Sequence, residues 1–512
     1  MTDETSEALS SLLSSATLVF AGSAVASVSK LAERIVVGRL LSLEAYGEVT
    51  LGLAVLSLAS IVSLVGLTQG VPRFMSRFDD EASTRGVWLT GLVVGGGLSL
   101  VTAALLYVFA DPVARLLFDG VESVRLLRLF VVATPLVVGL KVGVGGIRGM
   151  ENTVYKTYVA DLFYPFVRIG LIVALLSAGA GIYAVGYAYV VAAAAAFVGA
   201  HLLLDRLLPL VGRVRTYPRE MLLFSLPLVV STVLAVLLTR TDTLMIGYFR
   251  PSTQVALYEA AYPLANGMLV VLASFGFLYL PLASRFDAAG QREQLDAVYK
   301  LTTKWIYVVT FPAFLTFLVF PGDVLALFFR DEFARGGLAL SILSVGFFTN
   351  AAGGRNRETL SALGYTKLIL AGNAVAFGAN VTLNVLLIPA YGFVGAAVAS
   401  ATSYASLNVF IYLVLRRRFD ISPFSRWSVR TFLALPATLI PAAALLSRWL
   451  DITVVTLPVF LVASGVAAIV VAALAGGLQP EDEIALEFVE DLVGVRVPFV
   501  RRYLGESTER VA

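Results

Sequence analysis

The chain has 512 residues, of which 58% are hydrophobic and 14% charged, with a formal net charge of +3. Soluble globular chains carry about 25% charged residues, so the composition points to a polytopic α-helical membrane protein rather than a soluble domain. The charge is too small to indicate nucleic-acid binding, the absence of cysteine excludes disulfides and thiol chemistry, and a single histidine, His201, argues against a His-based zinc site.

Apolar runs of about 20 residues recur from end to end, each long enough to cross a bilayer. In chain order, hydropathy predicts about 14 spans. They fall near residues 12–37, 47–71, 86–109, 124–145, 154–177, 181–204, 221–248, 255–283, 298–320, 324–352, 362–388, 392–415, 430–449 and 453–476. The N-terminal sequence MTDETSEALSSLL lacks the basic region of a cleaved signal peptide. The connections Ser177–Gly181 and Pro389–Gly392 are so short that they force antiparallel hairpins. Basic residues concentrate in the even-numbered connections, for example Arg73, Arg77 and Arg85, or Arg416, Arg417 and Arg418. The positive-inside rule then places the even connections and both termini in the cytoplasm. The tail 479–512 is mostly acidic and is expected to form a short amphipathic helix at the inner surface.

An internal repeat organises these spans. VGRLLSLEAYG at 37–47 is echoed by IGYFRPSTQVALYEAA at 246–261, and PRFMSRF from Pro72 by PLASRF from Pro281. YKTYVADLF around Lys156 matches YTKLILAGN around Lys367, and the hairpin at Gly181 matches that at Gly392. The nearly constant offset predicts two parallel, pseudo-symmetric six-helix lobes, 1–215 and 216–428. Two extra C-terminal helices, 429–478, and the tail 479–512 follow. The expected fold is therefore an all-α integral membrane protein. Its substrate site is expected near the bilayer midplane where the repeats meet.

Twelve spans in two parallel halves plus two extra spans resemble the multidrug/oligosaccharidyl-lipid/polysaccharide exporter superfamily. The GR-x-L and Y-G phrases before the second span, its ending GVPRF and the hairpin phrase YG-x-x-GAA resemble the polysaccharide-transporter, or Wzx-type O-antigen flippase, branch. The resemblance covers about residues 12–475, and the tail has no counterpart. It implies a flippase that moves a lipid-linked oligosaccharide on a polyprenyl- or dolichyl-phosphate carrier from the cytoplasmic to the outer leaflet. Alternating access around a central cationic cavity is the mechanism it implies. It also implies the cell membrane as location and the glycosyltransferases or polymerase of the same pathway as partners. No cofactor or metal is expected, and no enzymatic activity.

Charged residues within spans are rare and usually face a bundle interior or a wet cavity. In the first span Ser23, Ser27, Lys30 and Arg34 form one polar stripe, and Glu33 is placed to pair with Lys30. A neutralised Lys–Glu pair with a snorkelling arginine is the simpler alternative to a phosphate-binding role for Lys30 and Arg34. Arg240 and Asp242 of the seventh span are the expected counterpart in the second lobe, either as half of a two-sided cationic clamp or as an ion pair. Glu259, Tyr262 and Asn266 form a stripe suited to sugar hydroxyls or to helix contacts. Asp161 and Arg168 in the fifth span suit structural pairing with a neighbouring helix. Asn373, Asn380 and Asn384 suit helix–helix hydrogen bonding, and Arg148, Arg355, Arg357 and Glu358 suit interfacial anchoring or a gate. Glu33, Asp161, Arg168, Arg148 and Arg355 are the weaker gate or ion-coupling candidates.

Glycine runs at Gly95–Gly97 and Gly353–Gly354, and prolines within spans, are expected to allow close packing and kinks. No G-x-x-x-x-G-K-[ST] phosphate loop is present, so direct ATP use is not expected. A multidrug or cation antiporter of the same fold would exchange ions at an intramembrane carboxylate such as Asp161 or Asp242. A multi-span glycosyltransferase or polymerase would need larger aqueous loops than the 15–20 residues or so available here. The wealth of Ala, Val and Gly, with arginine favoured over lysine, suggests a GC-rich, salt-adapted prokaryote.

Overall fold

A computed structural model of the protein describes residue 22, residues 25–118 and 123–479, and residue 482; it leaves the side chains of 226–236, 238 and 276–278 undescribed. The described residues are helical and contain no strand. Among the described residues, twelve helices are long and apolar enough to cross a membrane, and they correspond to the expected spans two to six and eight to fourteen. The first expected span is represented by a helix over 25–40, α1, and the seventh by a continuous helix over Pro218–Phe249. The expected amphipathic tail lies outside the described residues, apart from Gln479 and Asp482.

The chain forms two compact units, Met1–Glu259 and Ala260–Ala512. In the first, α2 (Leu43–Leu64), α3 (Leu67–Met75) and α4 (Glu81–Val108) follow α1. The short helix α5 (Ala110–Leu117) precedes α6 (Ser123–Gly149). Then come α7 (Thr153–Ser177), α8 (Tyr183–Leu207), α9 (Pro218–Phe249) and the start of α10 (Ser252–Gly267). About 72% of the apolar window of both α2 and α6 is buried, against 22% for α4, so α2 and α6 are inner helices and α4 an outer wall. Small residues permit this: a methyl on Gly139 or Gly146 of α6 would sit 2.5 or 2.7 Å from Phe197 or Leu204 of α8.

Local sequence sets the helix ends. Ser42 caps α2 by accepting from the Ala45 amide at 3.2 Å, and Asp80 caps α4 by accepting from the Ser83 amide at 2.8 Å. The second expected span is not one helix. Val65 and Gly66 both adopt left-handed backbone, with φ of 44° and 74°, which ends α2 and lets α3 leave in a new direction. Glycine takes this conformation freely, whereas a β-branched valine there is strained. A π-helical segment, Thr157–Phe163, interrupts α7 just before Pro165.

In the second unit, α10 gives way at Met268 to α11 (Leu269–Ala288), followed by α12 (Arg292–Val319) and α13 (Pro321–Phe328). Next come α14 (Gly337–Gly353), α15 (Asn356–Ala362), α16 (Thr366–Tyr391) and α17 (Phe393–Phe419). Two outer helices end the unit, α18 (Arg426–Leu446) and α19 (Thr456–Leu474), and both pack on α12. Tyr307 of α12 stacks on Phe432 of α18 at 4.1 Å, and Phe314 stacks on Phe348 of α14 at the same separation. Asn380 donates across to Ser400 of α17 at 3.4 Å, and Asn384, one turn further along the same helix, donates to the Asn380 side-chain oxygen at 3.1 Å.

Candidate functional site: a cation-lined cavity in the first unit

Side chains from six helices, four of which contribute charged residues, converge on one cavity of about 400 Å³. α1 contributes Lys30, Glu33 and Arg34, three residues within one turn of a helix face. α2 contributes Leu53, Leu56, Ser57, Ser60 and Ile61, a spacing of three, one, three and one that marks a single helical stripe. α6 gives Val137 and Lys141, α7 gives Tyr164 and Arg168, α8 gives Tyr189, and α9 gives Thr239 and Arg240. The lining thus carries five cations, Lys30, Arg34, Lys141, Arg168 and Arg240, against one carboxylate, Glu33.

The cations fall into two kinds. Arg168 donates to Glu33 from Nε at 2.8 Å and from Nη2, and Tyr189 donates its hydroxyl to the other oxygen of Glu33 at 2.6 Å. The Arg168 guanidinium also lies over the rings of Tyr164 and Tyr189, at 4.7 and 4.5 Å. Glu33 is therefore not the partner of Lys30 that its spacing suggested; the bidentate guanidinium of a neighbouring helix captures it. Arg34 forms an ion pair with Glu259 and also reaches the Glu259 main-chain oxygen at 3.3 Å, while Thr243 donates to the same carboxylate. Lys30 and Lys141, by contrast, have no hydrogen-bond or ion-pair partner among the described residues.

The other residues singled out from the sequence are placed as follows. Asp242 is buried and accepts from the Tyr258 hydroxyl. Tyr262 belongs to the second unit, where its hydroxyl meets that of Tyr404 at 3.0 Å; Asn266 is exposed. Asp161 sits in the π segment and pairs with Lys156. Arg148 is exposed in the last turn of α6. Arg355 pairs with Glu358 at 3.0 Å and donates to the Leu272 carbonyl at 2.9 Å; burial pulls its pKa down and Glu358 offsets part of that. Lys141 escaped sequence reasoning, although its signal was present: a lone lysine inside the apolar run VVGLKVGVGG, with no carboxylate three or four residues away.

A bundle of apolar helices enclosing a cation-rich cavity defines a multi-pass membrane protein with the fold of the multidrug/oligosaccharidyl-lipid/polysaccharide exporter superfamily. The solved structures that it resembles include lipid II flippase MurJ in an inward closed conformation, at TM-score 0.67 and 12% identity, with 93% of this chain and all of that chain aligned. An inward-facing multidrug resistance MATE family transporter of the MOP superfamily aligns at TM-score 0.66 and 17% identity, over 77% of this chain and 94% of that one. A family model described as polysaccharide biosynthesis protein matches residues 36–336, more than half of the chain, and the chain belongs to that family. Among curated relatives, the probable low-salt glycan biosynthesis flippase Agl15 of Haloferax volcanii is 26% identical over 187 residues, 36% of this chain and 40% of that protein. The chain thus spans about two fifths of that relative's length. The probable flippase AglR of the same organism is 23% identical over 370 residues, covering 71% of this chain and 75% of AglR.

Proposed function

We propose that the protein is a flippase for a lipid-linked oligosaccharide, moving it from the cytoplasmic to the outer leaflet by alternating access, in the synthesis of cell-surface polysaccharide or glycoprotein. The observation that carries this reading is the cavity lined by five cations and one carboxylate, two of whose cations, Lys30 and Lys141, have no partner among the described residues. An uncompensated charge inside a membrane protein is costly, so it is retained where a passing anion needs it. The phosphate of a polyprenyl or dolichyl carrier suits it, being multiply anionic and rich in acceptor oxygens. A cavity of about 400 Å³ accepts a phosphate and the first sugar, with the lipid tail left outside. Arg34 and Arg168, each held by a carboxylate, shape the wall, and Lys30 and Lys141 present the charge.

The alternative of a cation antiporter is less well supported. It needs a carboxylate open for ion exchange, yet Glu33, Asp161, Asp242 and Glu259 are each engaged by a cation or hydroxyl. In our reading the even-numbered connections and both termini face the cytoplasm, and the glycosyltransferases of the same pathway are the functional partners. The protein would carry out no covalent chemistry of its own. Deleting the gene tests this: the lipid-linked glycan should accumulate on the cytoplasmic face, and a Lys30→Ala, Lys141→Ala double variant at normal abundance should fail to restore export. Accumulation on the outer face would overturn the reading.

A further inference from the structure

Along α2 the cavity residues run from Leu53 to Ile61, and beyond each end of that stretch glycines of α2, α3 and α9 bring α2–α3 close against α9 and α10, with main-chain contact at Gly47 and Gly66. At one end a methyl on Gly47 would lie 1.9 Å from the Ser252 carbonyl oxygen, and a methyl on Gly247 would lie 2.4 Å from Leu51. At the other end a methyl on Gly66 would lie 2.5 Å from the Ser225 carbonyl oxygen, and one on Gly70 2.4 Å from the Ser225 hydroxyl. This second contact coincides with the left-handed break at Val65–Gly66. On the opposing helix Thr239 and Arg240 line the cavity between the same two contacts.

We propose that these two glycine seams are the gates of the cavity: Gly47 and Gly247 seal one end, Gly66 and Gly70 the other, and α9–α10 part from α2–α3 at one seam at a time. The inference rests on the transport reading and deepens it. Close backbone contact through glycine suits a gate because it seals without interdigitated side chains that would have to disengage. Within α2–α3, the Val65–Gly66 break marks the point at which α3 can swing independently of α2. An added methyl at a seam over-packs only the state in which that seam is closed.

The absence of cysteine makes the test direct, because one introduced thiol is a unique label. Ser57→Cys places it on the cavity wall. Labelling by a membrane-impermeant maleimide is followed in right-side-out and inside-out vesicles. Gly47→Ala should raise labelling from one face, and Gly70→Ala from the opposite face only, each by about tenfold, as expected when over-packing disfavours one closed state. Ser225→Gly, which removes the side chain facing Gly70, should return the Gly70→Ala variant to the parent pattern. Gly96→Ala, whose methyl meets nothing within 4 Å, should leave labelling unchanged. If Gly47→Ala does not accumulate, Gly247→Ala loads the same seam. Enhanced labelling from the same face for both seams, or from neither, would overturn the proposal. The readout needs no glycan, so its failure is distinct from failure of the export assay.

Discussion

Removing the Arg168 side chain should be far more damaging to the folded protein than removing Lys30, although both line the same cavity. The Glu33 carboxylate is buried, with its side chain only 6% exposed, and Arg168 is 8% exposed. Arg168→Ala deletes two hydrogen bonds to Glu33 and two cation–π contacts, leaving a buried carboxylate supported by the Tyr189 hydroxyl alone. Breaking a buried ion pair from one side costs about 3–5 kcal/mol, because the remaining charge is stranded. At roughly 2–4 °C per kcal/mol for domains of 150–250 residues, the apparent melting temperature should fall on the order of 10 °C. A Glu33→Gln, Arg168→Met double variant removes both charges together and should recover much of that loss. Lys30→Ala removes a side chain with no described partner and should leave the melt close to wild type. The assay is thermal unfolding of purified protein in detergent. Equal loss for Lys30→Ala and Arg168→Ala, or a double variant as damaged as the sum of its singles, would refute the assignment of Glu33 to Arg168.

Other expectations follow from contacts elsewhere in the molecule. In the second unit the fully buried Asp482 carboxylate accepts from Lys304, from the Trp305 indole at 2.7 Å and from the Gln479 amide at 2.7 Å, so Asp482→Ala should cost about 3–5 kcal/mol by stranding the Lys304 ammonium. Thermal unfolding checks this, with Lys304→Met, Asp482→Leu expected to be milder. Arg85 holds the connection between α8 and α9 through the Pro209 and Arg213 carbonyls, both at 2.6 Å, and a methyl on Gly86 would lie 1.9 Å from the Arg215 carbonyl oxygen. Gly86→Ala should therefore lift that connection and speed tryptic cleavage at Arg213 and Arg215 severalfold. Glu259→Gln should relieve Arg34 of its counter-charge and tighten binding of a polyprenyl phosphate severalfold; unchanged affinity would show that Arg34 faces no ligand.

Much of the fold was legible because its causes are local or periodic. Apolar run length marks the spans, and the short hairpins follow from Gly181 and Gly392, both of which adopt positive φ. The repeat and the motifs pointed to the superfamily. Features that depend on distant partners were not legible. Glu33 has a lysine three residues before it, yet its partner lies 135 positions away, because helix packing brings a guanidinium with better geometry. The break at Val65 is invisible in hydropathy, since Val65 is itself apolar, and Pro165 marks a departure from regular helix in α7 without specifying the π segment before it. Gly95 serves close packing, being within 3.4 Å of Leu67 and Val138 for an added methyl, whereas Gly96 and Gly97 face open space. Lys141 is a different kind of omission: the rule applied to Lys30, an intramembrane charge with no local partner, selects it equally well.

The claim that an anion is carried on Lys30 and Lys141 is tested most directly by equilibrium binding. Purified wild-type protein and the Lys30→Ala, Lys141→Ala variant would be titrated with a polyprenyl phosphate and with the uncharged polyprenol, at low and high salt. Each charge-assisted hydrogen bond lost is worth about 1.5–3 kcal/mol, so the double variant should bind the phosphate roughly 100-fold more weakly or worse. Its salt dependence should be shallower, and its affinity for the polyprenol unchanged. Equal affinity of wild type and double variant for the phosphate, with equal salt dependence, would contradict the account.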